Sequence, residues 1–139
     1  MRTGLRPEQL GDLLDRPLVA TLATHRRNGE VLLSPIWHEW QQDGFNIVID
    51  SGGFKAKHIR RDPRVSVVVY ESDPPYRGIE VRGRARLVDA EGELLAARRR
   101  IWGRYIGIEP PQSHDEALIR VEGPARAWDF ADDFAQAET

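Results

Sequence analysis

The sequence contains no cysteine. That excludes disulfides, zinc–thiolate centres and a cysteine nucleophile, and it suits a reducing compartment. The opening Met1-Arg2-Thr3-Gly4-Leu5 lacks the apolar run of a signal peptide, and no later stretch is long enough to span a bilayer. A cytoplasmic protein without membrane contact is therefore expected. An excess of one charge is missing too: 20 Lys and Arg stand against 22 Asp and Glu, for a net charge of −2. Such a chain is not a polycation built to hold nucleic acid. Its basic residues are gathered at 55–64, 82–86 and 98–104, which favours a local anion site over a global one. Recognisable catalytic spacings are lacking as well. The histidines at 25, 38, 58 and 114 do not fall at metal-site intervals, Ser34 sits in no Gly-x-Ser-x-Gly elbow, and Ser51-Gly52-Gly53-Phe54-Lys55 is too short for a Walker loop.

What is present fits one domain. A length of 139 residues, 40% hydrophobic and 30% charged, is ordinary for a globular chain. The domain is expected to run from 1 to 139, with 1–9 and 132–139 as loose ends. Leu10, Leu13 and Leu14 after Pro7 read as a short helix stopped by Pro17. Strands are expected at Leu18–Thr24, Val31–Trp40 and Phe45–Asp50, joined by hairpins at Asn28-Gly29 and Gln42-Asp43-Gly44. Pro35 cannot donate to a ladder, so it marks an edge, bulge or kink in the second of these. Trp37 and Trp40 are expected on opposite faces of that strand. A strand from Val65 to Glu71 carries an unbroken valine run that suggests burial on both faces. Ser72-Asp73-Pro74-Pro75-Tyr76 reads as a rigid exposed loop. Arg77–Val88 alternates most clearly, with Ile79, Val81, Gly83, Ala85 and Leu87 on one face and Arg82, Arg84 and Arg86 on the other. Leu94, Leu95, Arg98, Ile101, Trp102 and Tyr105 form a helical stripe that ends before Pro110-Pro111. Ala117–Val121 and Ala125–Phe130 read as two short strands or one kinked strand, separated by Gly123-Pro124. Many short antiparallel strands with few helices favour a small barrel, mainly β with some α.

The stretch from Asp50 to Val65 organises this pattern. It leaves a strand, turns through Gly52-Gly53, opens a short basic helix and enters a buried strand after Pro63. Helix N-termini present unpaired N–H groups and partial positive charge, and Lys55 and Lys57 add full charges in the first turn. A phosphate site is expected here, against the alternative of a solvated basic helix.

Three segments together resemble the pyridoxamine-5′-phosphate-oxidase-like split β-barrel family. They are the hairpin Leu18–Trp40 with its Ser34-Pro35-Ile36-Trp37 segment, the Lys55-x-Lys57-x-Ile59-x-x-Asp62-Pro63-Arg64-Val65 run, and the Val–Tyr strand after it. Within that family the sequence is most similar to the flavin/deazaflavin oxidoreductases, particularly small members using coenzyme F-420. The resemblance covers roughly residues 10–130 and implies an antiparallel FMN-binding type of split barrel. It also implies a homodimer with cofactor sites at the subunit interface and a small-molecule substrate. Carried over by position, Lys55 and Lys57 would hold the cofactor phosphate, with Ser51 and adjacent N–H groups completing the pocket. Ser34, Pro35, Ile36 and Trp37 would line the tricyclic ring, and Tyr76 and Arg77 would come from the second subunit. Asparagine is common in the family where this chain has His58, a departure that bears on hydrogen bonding at the helix.

The implied chemistry is hydride transfer to an electron-poor double bond, with a proton from Tyr76, His38 or water; no catalytic residue is singled out. F-420 carries a lactyl–polyglutamate tail that needs a basic groove, for which Arg60, Arg61, Arg64 and the row at 82–86 are candidates. FMN on the same fold is the alternative cofactor, and a non-catalytic cofactor- or haem-binding protein is the alternative class.

Overall fold

In a computed structural model, residues 1–133 are described. Nine strands and two α-helices follow in the order β1 (Arg2–Leu5), β2 (Ala20–His25), β3 (Val31–Ile36), β4 (Glu39–Gln41), β5 (Gly44–Asp50), α1 (Phe54–Arg61), β6 (Arg64–Tyr70), β7 (Gly78–Val88), α2 (Glu91–Tyr105), β8 (Glu116–Glu122) and β9 (Ala125–Asp129). The strands form one antiparallel sheet in the order β3-β2-β6-β7-β8-β5-β4, with β9 added to β7 and β1 to β9. The result is a split β-barrel.

The split has a local cause in β7. Its first part, Gly78–Val81, pairs with β9, and its last part, Arg84–Val88, pairs with β8. Between them, Gly83 lies so close to the β8–β9 turn that an added Cβ would stand 2.0 Å from the Glu122 carbonyl oxygen. A strand without a side chain at that point lets the chain switch partners and the sheet divide. Leu22, Phe45, Ile47, Val67, Val69, Ile79, Val81, Ile119 and Val121 fill the interior, each at most 1% exposed.

Six expectations change. The leucines after Pro7 form two 3-10 turns, Pro7–Leu10 and Leu13–Asp15, because Gly11 at φ 60° interrupts any continuous helix. They still bury Leu10 and Leu13, so the apolar spacing served packing without an α-helix. The expected strand 31–40 is broken after Ile36, and the chain resumes as β4 at Glu39. The valine run of β6 alternates: Val65, Val67 and Val69 are buried, whereas Ser66 and Val68 are half-buried. Leu95, placed on the buried stripe of α2, is exposed, while Ala97 takes a buried position. Residues 2–5, expected to be loose, form β1, and Arg2 forks onto Asp129 of β9. At the other end, Asp133 pairs with the N-terminal ammonium at 2.6 Å; the rest of the expected acidic tail lies outside the described residues. Among the described residues no helix is long and apolar enough to cross a membrane.

Candidate functional site

The turn after β5 ends in Gly53, whose extended backbone leads into α1 with no side chain capping the first turn. The first amides of α1 thus keep their donor capacity toward an anion. On that turn Lys55 enters a cavity of about 470 Å³. Its other walls come from three places: Pro35, Ile36 and Trp37 at the end of β3, Val48, Ile49 and Asp50 at the end of β5, and Arg98, Ile101 and Trp102 on α2. Val19 and Glu116 complete it. β3 is an edge strand, so Pro35 costs the sheet no internal hydrogen bond there.

Trp37 is held from behind. Its ring stacks on Tyr105 at 4.9 Å and 10°, and meets Trp102 edge-on at 5.6 Å. The Tyr105 hydroxyl donates to the Leu18 carbonyl at 2.5 Å and accepts from the His38 amide at 3.3 Å. Burial raises the Tyr105 phenol above its ordinary value. The last turn of α2 therefore fixes both the approach to β2 and the break between β3 and β4. His38 lies fully buried in this knot, its carbonyl accepting from Arg104. Burial, aided by the Arg104 charge, pushes its imidazole down to about 3, so it is neutral at physiological pH.

The sequence-derived site residues divide into four groups. Lys55, Pro35, Ile36 and Trp37 share the cavity. Lys57 does not: two helical residues turn about 200°, and it faces a separate cup of about 520 Å³ with Arg26, Arg27, Asn28, Phe54, His58 and Arg61. Ser34 is buried on the face of β3 that it shares with Ile36, two residues earlier in the strand, and Ser51 is engaged through its backbone, by Asp115 and by Arg60. Neither lines the cavity. Arg77 and Tyr76 sit at the far end of β6. Arg77 forks onto the buried Glu71 at 2.6 and 2.8 Å and also donates to Asp12 at 2.8 Å and to the Leu10 carbonyl at 2.7 Å. Tyr76, at φ 55°, stands in the exposed loop next to it.

His58 bonds Thr24 through Nδ1 at 3.0 Å, and burial together with Arg26 and Arg61 lowers its pKa. It thus ties α1 to β2 outside the cavity. The arginine row of β7 borders another trough, of about 890 Å³, that shares no lining residue with the Lys55 cavity. Among the described residues no cluster of three or more His, Cys, Asp or Glu is placed to hold a metal.

Sequence reasoning missed the whole α2 contribution to the cavity. The available signal was Arg98 inside an otherwise apolar stripe, since a charge at a buried helical position needs a partner or a task. The structure gives it Glu116, at 2.6 Å from Nε.

The divided barrel thus carries a cavity at a strand edge that combines a lysine at one helix start, aromatic walls and both signs of charge, from Lys55 and Arg98 and from Asp50 and Glu116. The family model for pyridoxamine 5′-phosphate oxidase matches residues 7–128, and the chain belongs to that family. Solved structures agree on the fold. An F-420 reductase is 32% identical with TM-score 0.73, over 87% of this chain and 98% of that one. An FAD-binding protein from Mesorhizobium loti is 23% identical with TM-score 0.66, over 91% and 97%. A haem storage protein from Vibrio cholerae is 18% identical with TM-score 0.66, over 85% and 89%. No curated protein matches the sequence.

Proposed function

We propose that this chain is an oxidoreductase that binds a phosphate-bearing flavin-type cofactor, with deazaflavin F-420 favoured over FMN. The observation that carries the reading is Lys55 at the start of α1 sharing one cavity with Pro35, Ile36 and Trp37. A cation and uncapped helix amides suit a phosphate, and an apolar, aromatic wall suits a planar ring. When bound, a reduced flavin or deazaflavin supplies hydride for an electron-poor double bond. The chain's own part is to anchor the phosphate through Lys55, to set the ring against Pro35–Trp37, and to exclude water with Ile101 and Trp102. His38 does not line the cavity and is held neutral, so the proton is assigned to water or to Tyr76 of a second copy.

Two observations favour the longer cofactor. The F-420 reductase is the 32% identical structure. The second, basic cup beyond Lys57 also offers Arg26, Arg27 and Arg61 to an acidic tail, which FMN lacks. A haem reading has less support, because no histidine lines the Lys55 cavity.

The assembly proposed is a homodimer. Val31 and Leu33 on β3, Val19 before β2 and Tyr70 on β6 are each about half exposed or more, and the pairing register sets Leu33 and Pro35 on one face with Ala23, Thr21 and Val68. A second copy covering this face would bring its own Tyr76 loop to the cavity. Titrating the purified protein with F-420 and with FMN, followed by fluorescence at low and raised salt, tests the reading. F-420 binding that weakens with salt is expected; binding of FMN alone would contradict the deazaflavin assignment, and binding of neither would favour the non-catalytic class.

A further inference from the structure

The outer face of β7 departs from a rule that sheets keep. Like charges directly across a ladder destabilise it, yet the register sets Arg84 opposite Arg64 of β6 and Arg86 opposite Arg120 of β8. Alternate residues of a strand point the same way, so Arg82, Arg84 and Arg86 share one face with both partners. All five border the trough of about 890 Å³, where Glu122 is the single carboxylate among the described lining residues. Pairing within the chain does not neutralise them. Asp62 takes Arg64 at 2.7 Å and Glu80 takes Arg82 at 2.6 Å, while Glu122 is left to Arg120 at 3.4 Å and Arg86 at 4.0 Å. Five guanidiniums thus meet three carboxylates, and the Arg84 side chain makes no hydrogen bond or ion pair among the described residues. Two breaches of a local rule at one concave place mark a functional surface.

We propose that this face docks an extended acidic segment of another protein, with carboxylates at alternate positions. Alternate side chains of an extended chain repeat every 6.7 Å or about that, which is also the spacing of Arg82, Arg84 and Arg86. A segment laid along β7 therefore meets three guanidiniums with three carboxylates in register, and Arg64 and Arg120 flank it on the neighbouring strands. Other occupants match the face less well. Among the described lining residues there is no Phe, Tyr or Trp to stack bases, as single-stranded nucleic acid requires. A lone phosphate would cover only part of a row about 13 Å long. Arg120, with its side chain 9% exposed, sits too deep for a flat lipid surface to reach. The docking surface is separate from the cofactor site, since neither Lys55 nor Lys57 borders the trough.

The test is fluorescence anisotropy on the full chain with two labelled peptides of one composition. One has four Glu-Ser repeats; the other has four glutamates followed by four serines. Arg84 and Arg86 are exposed, so Arg84→Gln/Arg86→Gln keeps the fold. Arg6→Gln/Arg99→Gln removes the same charge from side chains 71% exposed and away from the trough. Wild type is expected to bind the alternating peptide about threefold or more tighter than the block isomer. The trough variant should lose about fivefold or more in affinity, the combined scale of two partly screened contacts, together with the preference. The control variant should stay within about twofold of wild type, as distant screened charges do. Absence of saturable binding, equal binding of the two isomers, or an equal loss in the control variant would overturn the proposal. So would tighter binding of a single-stranded oligonucleotide of equal charge, or displacement of the peptide by F-420, which would give the row to the cofactor's tail.

Discussion

Lys55 and Arg77 are both cations that the family pattern places at a cofactor, and the structure gives them opposite surroundings. Arg77 spends its donors inside the chain, on Glu71, Asp12 and the Leu10 carbonyl, and its pKa is raised first by the Glu71 bond. Those bonds bind the 3-10 turns to the end of β6. Lys55 makes no hydrogen bond or ion pair among the described residues and stands in a cavity. Two cations of the same expected role thus separate by whether their donors are already occupied. One holds the fold, and the other is available to a ligand.

The largest effect expected is on stability at Arg77. Arg77→Ala leaves Glu71, 2% exposed, with Arg16 and the backbone amide of residue 77 as its remaining partners. Unfolding titrations should show a loss of about 3 kcal/mol, the lower end for breaking a buried pair, because Arg16 and the residue-77 amide still compensate. Next comes Lys55→Ala, expected to weaken F-420 or FMN binding by about 1.5–3 kcal/mol while stability stays within about 0.5 kcal/mol. Equal affinity in that variant would place the phosphate elsewhere.

A third group, His38, is neither paired by charge nor exposed, and it sharpens the comparison through pH. Its folded pKa lies below the unfolded value of 6.5, so the unfolded chain binds more protons between 6.5 and about 3. Stability is therefore lost as pH falls through that window, by up to about 1.4 kcal/mol per unit. His58 has the same sign, and the carboxylates of Glu71 and Asp129, lowered by their arginine partners, act only further into acid. Melting wild type and His38→Gln at pH 6.5 and 5.5 should show a smaller decline in the variant; parallel declines would remove His38 as the cause. The smallest effect is expected at Lys57, across the helix. Lys57→Ala should change FMN affinity by about 0.5 kcal/mol or less, as a screened charge, and F-420 affinity by more if the acidic tail meets the cup.

Much of this architecture is legible without coordinates because it is local. The hairpin turns, the alternation of β7 and the glycine turn into a basic helix each depend on neighbours within a few residues. The failures depend on distant partners. Gly11 cuts the leucine-rich helix, while Tyr105 and Arg104, more than sixty residues away, seize the chain at His38 where β3 is interrupted. Lys55 and Lys57 look alike in sequence, and only the helical turn sends them to different pockets. Arg98 could be flagged as a charge in an apolar stripe, but not that Glu116 and a cavity would receive it.

The contrast between Lys55 and Arg77 is tested most directly by measuring two quantities on both alanine variants: unfolding free energy and affinity for F-420 and FMN. The account predicts a crossing, with Lys55→Ala keeping its stability and losing affinity, and Arg77→Ala losing stability while its folded fraction binds close to normally. Loss of affinity confined to Arg77→Ala, with Lys55→Ala binding as wild type, would contradict it.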